Sequence, residues 1–445
     1  MKISNPFRDP VRLVPALFLV AISIGTLLLS LPVARAGLGS APPLVALFTA
    51  TSAVAVTGLI TVDTQTYWSP FGQGVIMLLF QIGGFGIMTA AVLLGLLAGR
   101  TFRLRDRLAT HVERNRLAGG DTRKVLVLAF RVTVLVEALT ALVLILRLRL
   151  HYGASWSDAA WNGLFHAVSA FNNAGFSTYS DSLMAFQRDV WILAPIMIAV
   201  IISSLGFPVI REFRMRPFGF RSWTLHSKIT VIGTAILLLG GMLALVAAEW
   251  SNPATLGPMG WDGKLLNAAF HSVMPRTAGF NSLDVGAFRI ETLTFNYALM
   301  FIGGGSAGTA GGIKVTTFFL LLIVVWSEIR GERDAEIMGR RVGNRVERQA
   351  LAIAVLSALL IAVGTVILLS VTDFPLSDVL FEVISAFATV GLSTGITADL
   401  PPAGQLTIIV LMYVGRVGTI TIATALALGE DRKTYRYPEE NPIVG

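Results

Sequence analysis

One short pattern, met four times along the chain, limits the possible folds more than any other feature. It reads FTATSAVAVTGLIT at 48–61, FHAVSAFNNAGFST at 165–178, FHSVMPRTAGFNS at 270–282 and FEVISAFATVGLST at 381–394. Each copy opens on Phe, runs through small and apolar residues, and reaches a Gly followed by Leu or Phe. The glycines are Gly58, Gly175, Gly279 and Gly391, separated by 117, 104 and 112 residues. That period is far longer than any solenoid repeat. Every unit must contain several helices of its own, and four similar units point to a fourfold arrangement around one axis.

The chain between the copies is suited to lipid. Of its 445 residues 54% are hydrophobic and 14% charged, with a mean hydropathy of +0.70, whereas soluble domains carry about 25% charge. There is no Cys, which excludes a disulfide framework, a thiolate metal site and a Cys nucleophile. The net charge of +8 sits between long apolar runs, where the positive-inside rule accounts for it better than nucleic-acid binding does. Ala34-Arg35-Ala36 resembles a signal-peptidase site, but the apolar run before it, 11–31, is longer than a signal core of about 7–15 residues. That run also holds the place an equivalent run holds before each later Gly, so cleavage is not expected.

Eight apolar segments are long enough to span a bilayer, which takes about 20 helical residues: 11–31, 71–98, 125–146, 190–210, 228–248, 293–326, 350–370 and 405–428. The stretches leading into the glycines, such as 44–55 and 377–387, have about 11 residues and must enter and return as half-helices. The expected fold is an all-α polytopic membrane protein with eight transmembrane helices and four re-entrant pore helices around one pore. Its expected divisions are an N-terminal tail 1–10, repeat 1 at 11–98, a basic linker 99–124, repeat 2 at 125–210 and a linker 211–227. They continue with repeat 3 at 228–326, a linker 327–349, repeat 4 at 350–428 and a C-terminal tail 429–445.

Lys and Arg fix the expected orientation. The linker around 99–124 carries eight, 211–228 five, 327–348 six, and residues 1–12 and the C-terminal tail three each, against seven near the Gly loops. Both tails and all linkers are therefore expected in the cytoplasm of a cell-membrane protein. Trp68, Trp156, Trp161, Trp191, Trp250 and Trp261 would then form an outer belt, with Trp223 and Trp326 at the inner boundary. Asp63, Asp158, Asp181, Asp262, Asp284, Asp373, Asp378, Glu382 and Asp399 fall on the outer side. Singly they read as solvated loop carboxylates; together they would make a mouth that concentrates cations.

A dehydrated K⁺ needs rings of oxygens in place of its water, and backbone carbonyls supply them without fixed charge. Aiming carbonyls at an axis calls for backbone that Gly adopts freely. We read the axis as an ion pathway lined by Val56-Thr57-Gly58, Asn173-Ala174-Gly175, Thr277-Ala278-Gly279 and Thr389-Val390-Gly391. A single such Gly would be read as a helix C-cap. Four in equivalent places favour the filter.

With these motifs in hand, TSAVAVTGL, FNNAGFS, RTAGFN and TVGLSTG, the chain resembles the Trk/Ktr/HKT superfamily of K⁺ transporters over nearly its whole length. The resemblance implies four linked copies of a K⁺-channel-like unit. It is most similar to the eight-span Ktr membrane subunit, since the chain begins almost at its first repeat and ends soon after its fourth. Gly58 in the first loop implies K⁺ preference, because family members with Ser there admit Na⁺. The resemblance also implies a homodimer seated on a cytoplasmic ring of nucleotide-binding RCK subunits, which the basic linkers could meet. K⁺ is then the transported ion, with Na⁺ a candidate coupling or activating ion.

Two features stand apart from the loops. Gly303-Gly304-Gly305-Ser306-Ala307-Gly308-Thr309-Ala310-Gly311-Gly312-Ile313-Lys314 interrupts the sixth segment, since each Gly costs a helix about 1 kcal/mol against Ala. Irregular backbone at that depth must be buried or line water, though small residues also serve close helix packing. Arg416 stands where Gly83-Gly84-Phe85-Gly86 and Ser203-Ser204-Leu205-Gly206 have a small residue, and a charge there marks a functional candidate. The resemblance assigns 303–314 and Arg416 a gate below the filter; an ion pair of Arg416 with Glu382 is the alternative. Residues 304–308 also fit G-x-S-x-G, but that elbow needs a strand-to-helix turn and a His, so an intramembrane hydrolase using Ser306 is a distant rival. A Walker loop fails, because Ile313 and not Gly precedes Lys314. Arg276, three residues before Gly279, is expected to point away from the axis onto a carboxylate. His166 and His271 occupy matching places in two pore helices and are read as hydrogen-bonding groups before metal ligands. A Na⁺-permeable or Na⁺/K⁺-coupled carrier of the same fold and a non-conducting receptor complete the alternatives.

Overall fold

The computed structural model describes residues 10–86, 122–332 and 334–428. The 429–445 tail, nearly all of the N-terminal tail and most of the 99–124 linker with its basic residues lie outside the described residues. The remainder is helical. The first Gly unit lies among α1 (Pro10–Leu29), α2 (Pro43–Val54) and α3 (Pro70–Gly86). The second lies among α4 (Thr122–Leu150), α5 (Trp156–Asn172), α6 (Val190–Leu205) and α7 (Phe207–Met215). Around the third are α8 (Leu225–Glu249), α9 (Trp261–Val273), α10 (Ile290–Phe301) and α11 (Val315–Ile329). Around the fourth are α12 (Asn344–Val371), α13 (Leu376–Ala388) and α14 (Pro402–Leu428).

Local chemistry starts these helices. Pro43 takes the first helical position of α2, where a missing N–H costs nothing. The Ser155 hydroxyl caps α5 by accepting from Asp158 N at 3.1 Å, and Thr224 caps α8 by accepting from Ser227 N at 3.3 Å. The outward faces are apolar, with Leu135, Leu239 and Val366 59%, 62% and 67% exposed. Water would not tolerate so much bare Leu and Val on successive helices, whereas a bilayer does. Among the described residues α4 from Val127, α8 and α12 are each long and apolar enough to cross a membrane, and α6 with α7 makes a fourth if the bent pair is one span.

Several expectations are corrected here. The segment at 190–210 is not one straight helix: α6 stops at Leu205 and α7 leaves it at 95°, running on past residue 211, where the linker was expected to begin. Gly206 makes the corner with φ +86°, and a Cβ there would collide with Ser306 O. The segment at 293–326, by contrast, breaks where expected, into α10 and α11 with the Gly-rich stretch between them. The half-helix α5 has 17 residues where about 11 were expected. The 327–349 linker holds a two-residue hairpin, Glu336–Ile337 with Arg340–Arg341, and the start of α12. Trp68 and Trp223 are 1% and 7% exposed, so neither belongs to an interfacial belt. Trp68 forms a bridge with Arg35 and packs edge-on against Tyr67 at 5.0 Å. Glu382, expected among the solvated carboxylates, is fully buried.

The four Gly-bearing regions close on one another. Trp161 Nε1 donates to Gln73 Oε1 at 2.8 Å between the first and second, and Leu183 N to Asn281 O at 3.0 Å between the second and third. Tyr297 OH donates to Ser377 O at 2.9 Å between the third and fourth. Tyr413 OH reaches Pro15 O at 3.1 Å across 398 residues of sequence, joining the last helix to the first.

Candidate functional site

The four glycines meet head to tail around a common centre. A Cβ built on Gly58 would collide with Ala174 O, on Gly175 with Ala278 O at 2.9 Å, on Gly279 with Val390 O at 2.6 Å, and on Gly391 with Thr57 O. The same imagined carbons stand 3.2, 2.9, 3.2 and 3.2 Å from the Cα of the next glycine in the cycle. Each glycine therefore faces the carbonyl of the residue preceding the next one. No side chain fits there, and the oxygens of Thr57, Ala174, Ala278 and Val390 stand at the level of the ring.

The backbone that presents these oxygens alternates in handedness. Gly58, Gly175, Gly279 and Gly391 have φ of +94°, +69°, +70° and +92°. Two residues earlier, Val56, Asn173, Thr277 and Thr389 are also left-handed, at +57°, +60°, +79° and +51°. Only the glycines were expected to need this region. Asn tolerates it, but Val56, Thr277 and Thr389 are β-branched, and each such residue costs of order 1–3 kcal/mol. Strain repeated at the same register in three loops is held by the packing behind them.

That packing is equivalent in three loops and different in one. Thr57 N, Ala174 N and Val390 N each donate at 2.8 Å to a serine carbonyl, of Ser52, Ser169 and Ser385. The hydroxyls of Ser52 and Ser385 accept from Gly58 N and Gly391 N at 3.0 and 3.1 Å, and that of Ser169 donates to Phe176 O at 2.8 Å. The third loop is one residue shorter between Phe270 and Gly279, and Met274 O takes both Ala278 N at 3.0 Å and Gly279 N at 3.4 Å. His166 bonds Asn162 O at 2.7 Å and Ser177 Oγ at 2.9 Å, and His271 bonds Asn296 Oδ1 at 3.2 Å, so both imidazoles brace the loops.

On one side of the ring lies a vestibule of about 350 Å³ whose floor includes all four glycines. Of the outer carboxylates only Asp181 and Asp284 line it; Ser177, Asn281, Ser393 and Thr394 supply further polar groups. Against the pore-helix ends lies the stretch 302–314. Gly311 N donates to Thr277 Oγ1 at 3.2 Å, and a Cβ on Gly311 would collide with Thr389 Oγ1. Thr309 Oγ1 donates to Phe171 O at 3.3 Å, and Thr309 N to Ser203 O at 3.3 Å. Gly305 N donates to Ser204 O at 2.7 Å, while Gly303 packs on Gly311 O and Gly304 on the Ala310 methyl. Gly308 lies against Ser203 O, Ala307 and Gly312 are left-handed, and Ser306 Oγ meets Thr316 Oγ1 at 3.3 Å. The stretch thus touches the ends of three pore helices and the end of α6.

Three cations lie at it, with Arg276 and Arg416 buried and Lys314 half-buried. Arg416 Nη1 donates to Thr309 O at 2.7 Å, and Lys314 Nζ to Ala310 O at 2.5 Å. The alternative reading, an ion pair of Arg416 with Glu382, is not formed: Glu382 Oε1 accepts from Thr397 Oγ1, on the vestibule side. Arg276 does turn away from the centre, but its partners are neutral. Its Nη groups reach Thr234 O at 3.5 Å, Thr234 Oγ1 at 3.3 Å and Gly303 O at 3.5 Å. The buried carboxylate nearest in sequence to Thr234, Glu249, accepts from Thr255 Oγ1 at 2.6 Å and Arg289 N at 2.9 Å instead.

One residue of this neighbourhood escaped sequence reasoning. Glu137 lies mid-way along α4, where its Oε1 accepts from Asn172 Nδ2 at 3.3 Å; the same amide donates to Gln81 Oε1 and to Val168 O at 2.9 Å. Asn172 directly precedes left-handed Asn173, whose side chain bonds Ser203 and Ser204. The signal was present, since Glu137 is the sole carboxylate of the 125–146 run and an ionisable group at that depth is a functional candidate.

Known proteins provide the context. The family model described as TrkH, cation transport protein, matches residues 2–435. The chain is 40% identical to the Ktr system potassium uptake protein B of Bacillus subtilis, covering 96% of this chain and 95% of that one. It is 37% identical to the potassium/sodium uptake protein NtpJ of Enterococcus hirae, over 98% and 97%. The crystal structure of the potassium transporter TrkH from Vibrio parahaemolyticus superposes with a TM-score of 0.74 at 18% identity, covering 94% of this chain and 85% of that one.

Proposed function

Because the chain belongs to the TrkH family of cation transport proteins, we propose that it carries K⁺ across the cell membrane through a filter of backbone carbonyls. It is a transporter and not an enzyme, and its chemistry is the exchange of water for protein oxygens around the ion. One observation carries the filter reading: the cyclic approach of Gly58, Gly175, Gly279 and Gly391, each onto the carbonyl before the next. Carbonyl dipoles can replace a hydration shell without trapping the ion as a formal charge would. Asp181 and Asp284 raise the local cation concentration at the mouth.

In this reading the 303–314 stretch is the gate. Its contact with Thr277 and Thr389, residues of the proposed filter loops, supports that role, as do the bonds from Arg416 to Thr309 O and from Lys314 to Ala310 O. A guanidinium and an ammonium beside the path also oppose a cation electrostatically while the gate stays shut. The protein works as a homodimer with cytoplasmic termini, on a ring of nucleotide-binding regulatory subunits. Growth rescue of a K⁺-uptake-deficient host at low K⁺, with and without such a subunit, tests the function; absence of rescue in both would remove it. Flux into vesicles with K⁺ or Na⁺ alone decides selectivity, and equal rates would favour the Na⁺-permeable reading, in line with the Enterococcus relative being a potassium/sodium uptake protein.

A further inference from the structure

The corner at Gly206 sets α7 almost at right angles to α6. A helix perpendicular to a membrane-crossing one runs in the plane of the bilayer, and α7 has the composition of an interfacial helix. The stretch 211–223 reads REFRMRPFGFRSW, four arginines against one glutamate, interleaved with aromatic residues. Glu212 does not offset the arginines, because its carboxylate accepts from Thr224 N at 2.8 Å and Thr224 Oγ1 at 2.9 Å. Arg214, Arg216 and Arg221 are exposed and form no ion pair among the described residues. Beside them Phe213 is 58% and Phe218 100% exposed.

The aromatic residues form a platform. Trp223 is buried, with Phe213 and Phe220 against it at 6.3 and 5.3 Å, and its Nε1 donates to Arg216 O at 3.0 Å. That bond closes the 216–223 turn on itself, and the fully exposed Phe218 lies within it, between the exposed Arg216 and Arg221 in sequence. Exposed aromatic residues interleaved with exposed arginines match the boundary between phosphate headgroups and acyl chains. A protein partner would bring acidic side chains to the arginines but would leave Phe218 facing water or a pocket of its own.

We propose that α7 and the 216–223 turn form a docking surface for acidic phospholipids, with Arg214, Arg216 and Arg221 on the phosphates and Phe218 among the acyl chains. Through Gly206, which is packed on Ser306 O and lies 3.3 Å from an imagined Cβ of Gly308, lipid binding bears on the 303–314 stretch. The inference needs the membrane embedding but not the filter, so lipid retention is read separately from transport. The test compares full-length protein with the R214Q/R216Q/R221Q and Phe218→Ser variants. Retained phosphatidylglycerol is measured by native mass spectrometry, and K⁺ flux in phosphatidylcholine vesicles with and without phosphatidylglycerol. The expected result is severalfold less retained phosphatidylglycerol in the triple variant, and flux that rises severalfold with acidic lipid only when the arginines are present. Equal retention by all variants overturns the proposal whether or not any flux is seen. So does a defect of the triple variant that appears only with the cytoplasmic regulatory subunit, which would make the surface a protein interface.

Discussion

The glycine ring and the Gly-rich stretch beneath it use the same residue for different reasons. In the ring every glycine is left-handed and every one abuts a carbonyl of the next loop. Within 303–312 only Gly312 among the glycines is left-handed, and the others are small because neighbouring backbone or side-chain atoms occupy the place of a Cβ. The first region needs glycine for conformation and contact together, and the second chiefly for contact. Conformation repeated four times builds a fixed structure. Contact made by one irregular segment is held instead by scattered single bonds, those of Arg416 and Lys314 among them, which is what the proposed gate would have to break.

That contrast is broken first at the ring. Gly58→Ser must place a Cβ on Ala174 O at a φ of +94°. The strain, of order 1–3 kcal/mol, should lower K⁺ over Na⁺ discrimination by about 10–100-fold. Unchanged discrimination in paired flux assays would end the filter assignment. Next comes Arg416→Ala, which removes a charge-assisted bond worth about 1.5–3 kcal/mol from Thr309 O. Flux should rise roughly tenfold if that bond holds a closed state, and shortening 303–312 should act in the same direction. Lower flux from protein that still folds would make the stretch structural. Glu137 separates bracing from charge: Glu137→Gln keeps an acceptor for Asn172 and should leave selectivity intact, whereas Glu137→Leu should lower it severalfold. If Gln fails as badly as Leu, the carboxylate has a role beyond holding Asn172. The smallest effect belongs to Ser306→Ala, whose hydroxyl meets only Thr316 at 3.3 Å. Transport should stay within about twofold, and a large loss would give Ser306 a part that its contacts do not reveal.

Legibility followed the range of the interaction. The interruption of the sixth segment was readable because several glycines in one window disfavour a helix whatever surrounds them. The break in the fourth segment has a local signal in Gly206 and Pro208, but its 95° turn and the contact of Gly206 with Ser306 O belong to the fold. Arg276 and Arg416 are recognisable as buried charges from their depth, but a carboxylate partner was expected for Arg276 and stood as the alternative for Arg416. In the fold the nearest oxygens are main-chain carbonyls and a threonine hydroxyl, groups every residue carries and no pattern can point to. Glu382 shows the converse, a residue placed with the solvated carboxylates by its position in the chain and buried by the loop that returns over it.

By itself the sequence determined that the chain resides in lipid, that four glycines recur in one context, and that the backbone fails at 303–312, because composition and short-range pattern suffice for each. Only the tertiary structure decided which carbonyl each glycine faces. It also decided that Val56, Thr277 and Thr389 take a left-handed backbone that they would avoid in isolation. The physical reason is closure: four loops meeting at one centre impose a geometry that none of them would adopt alone.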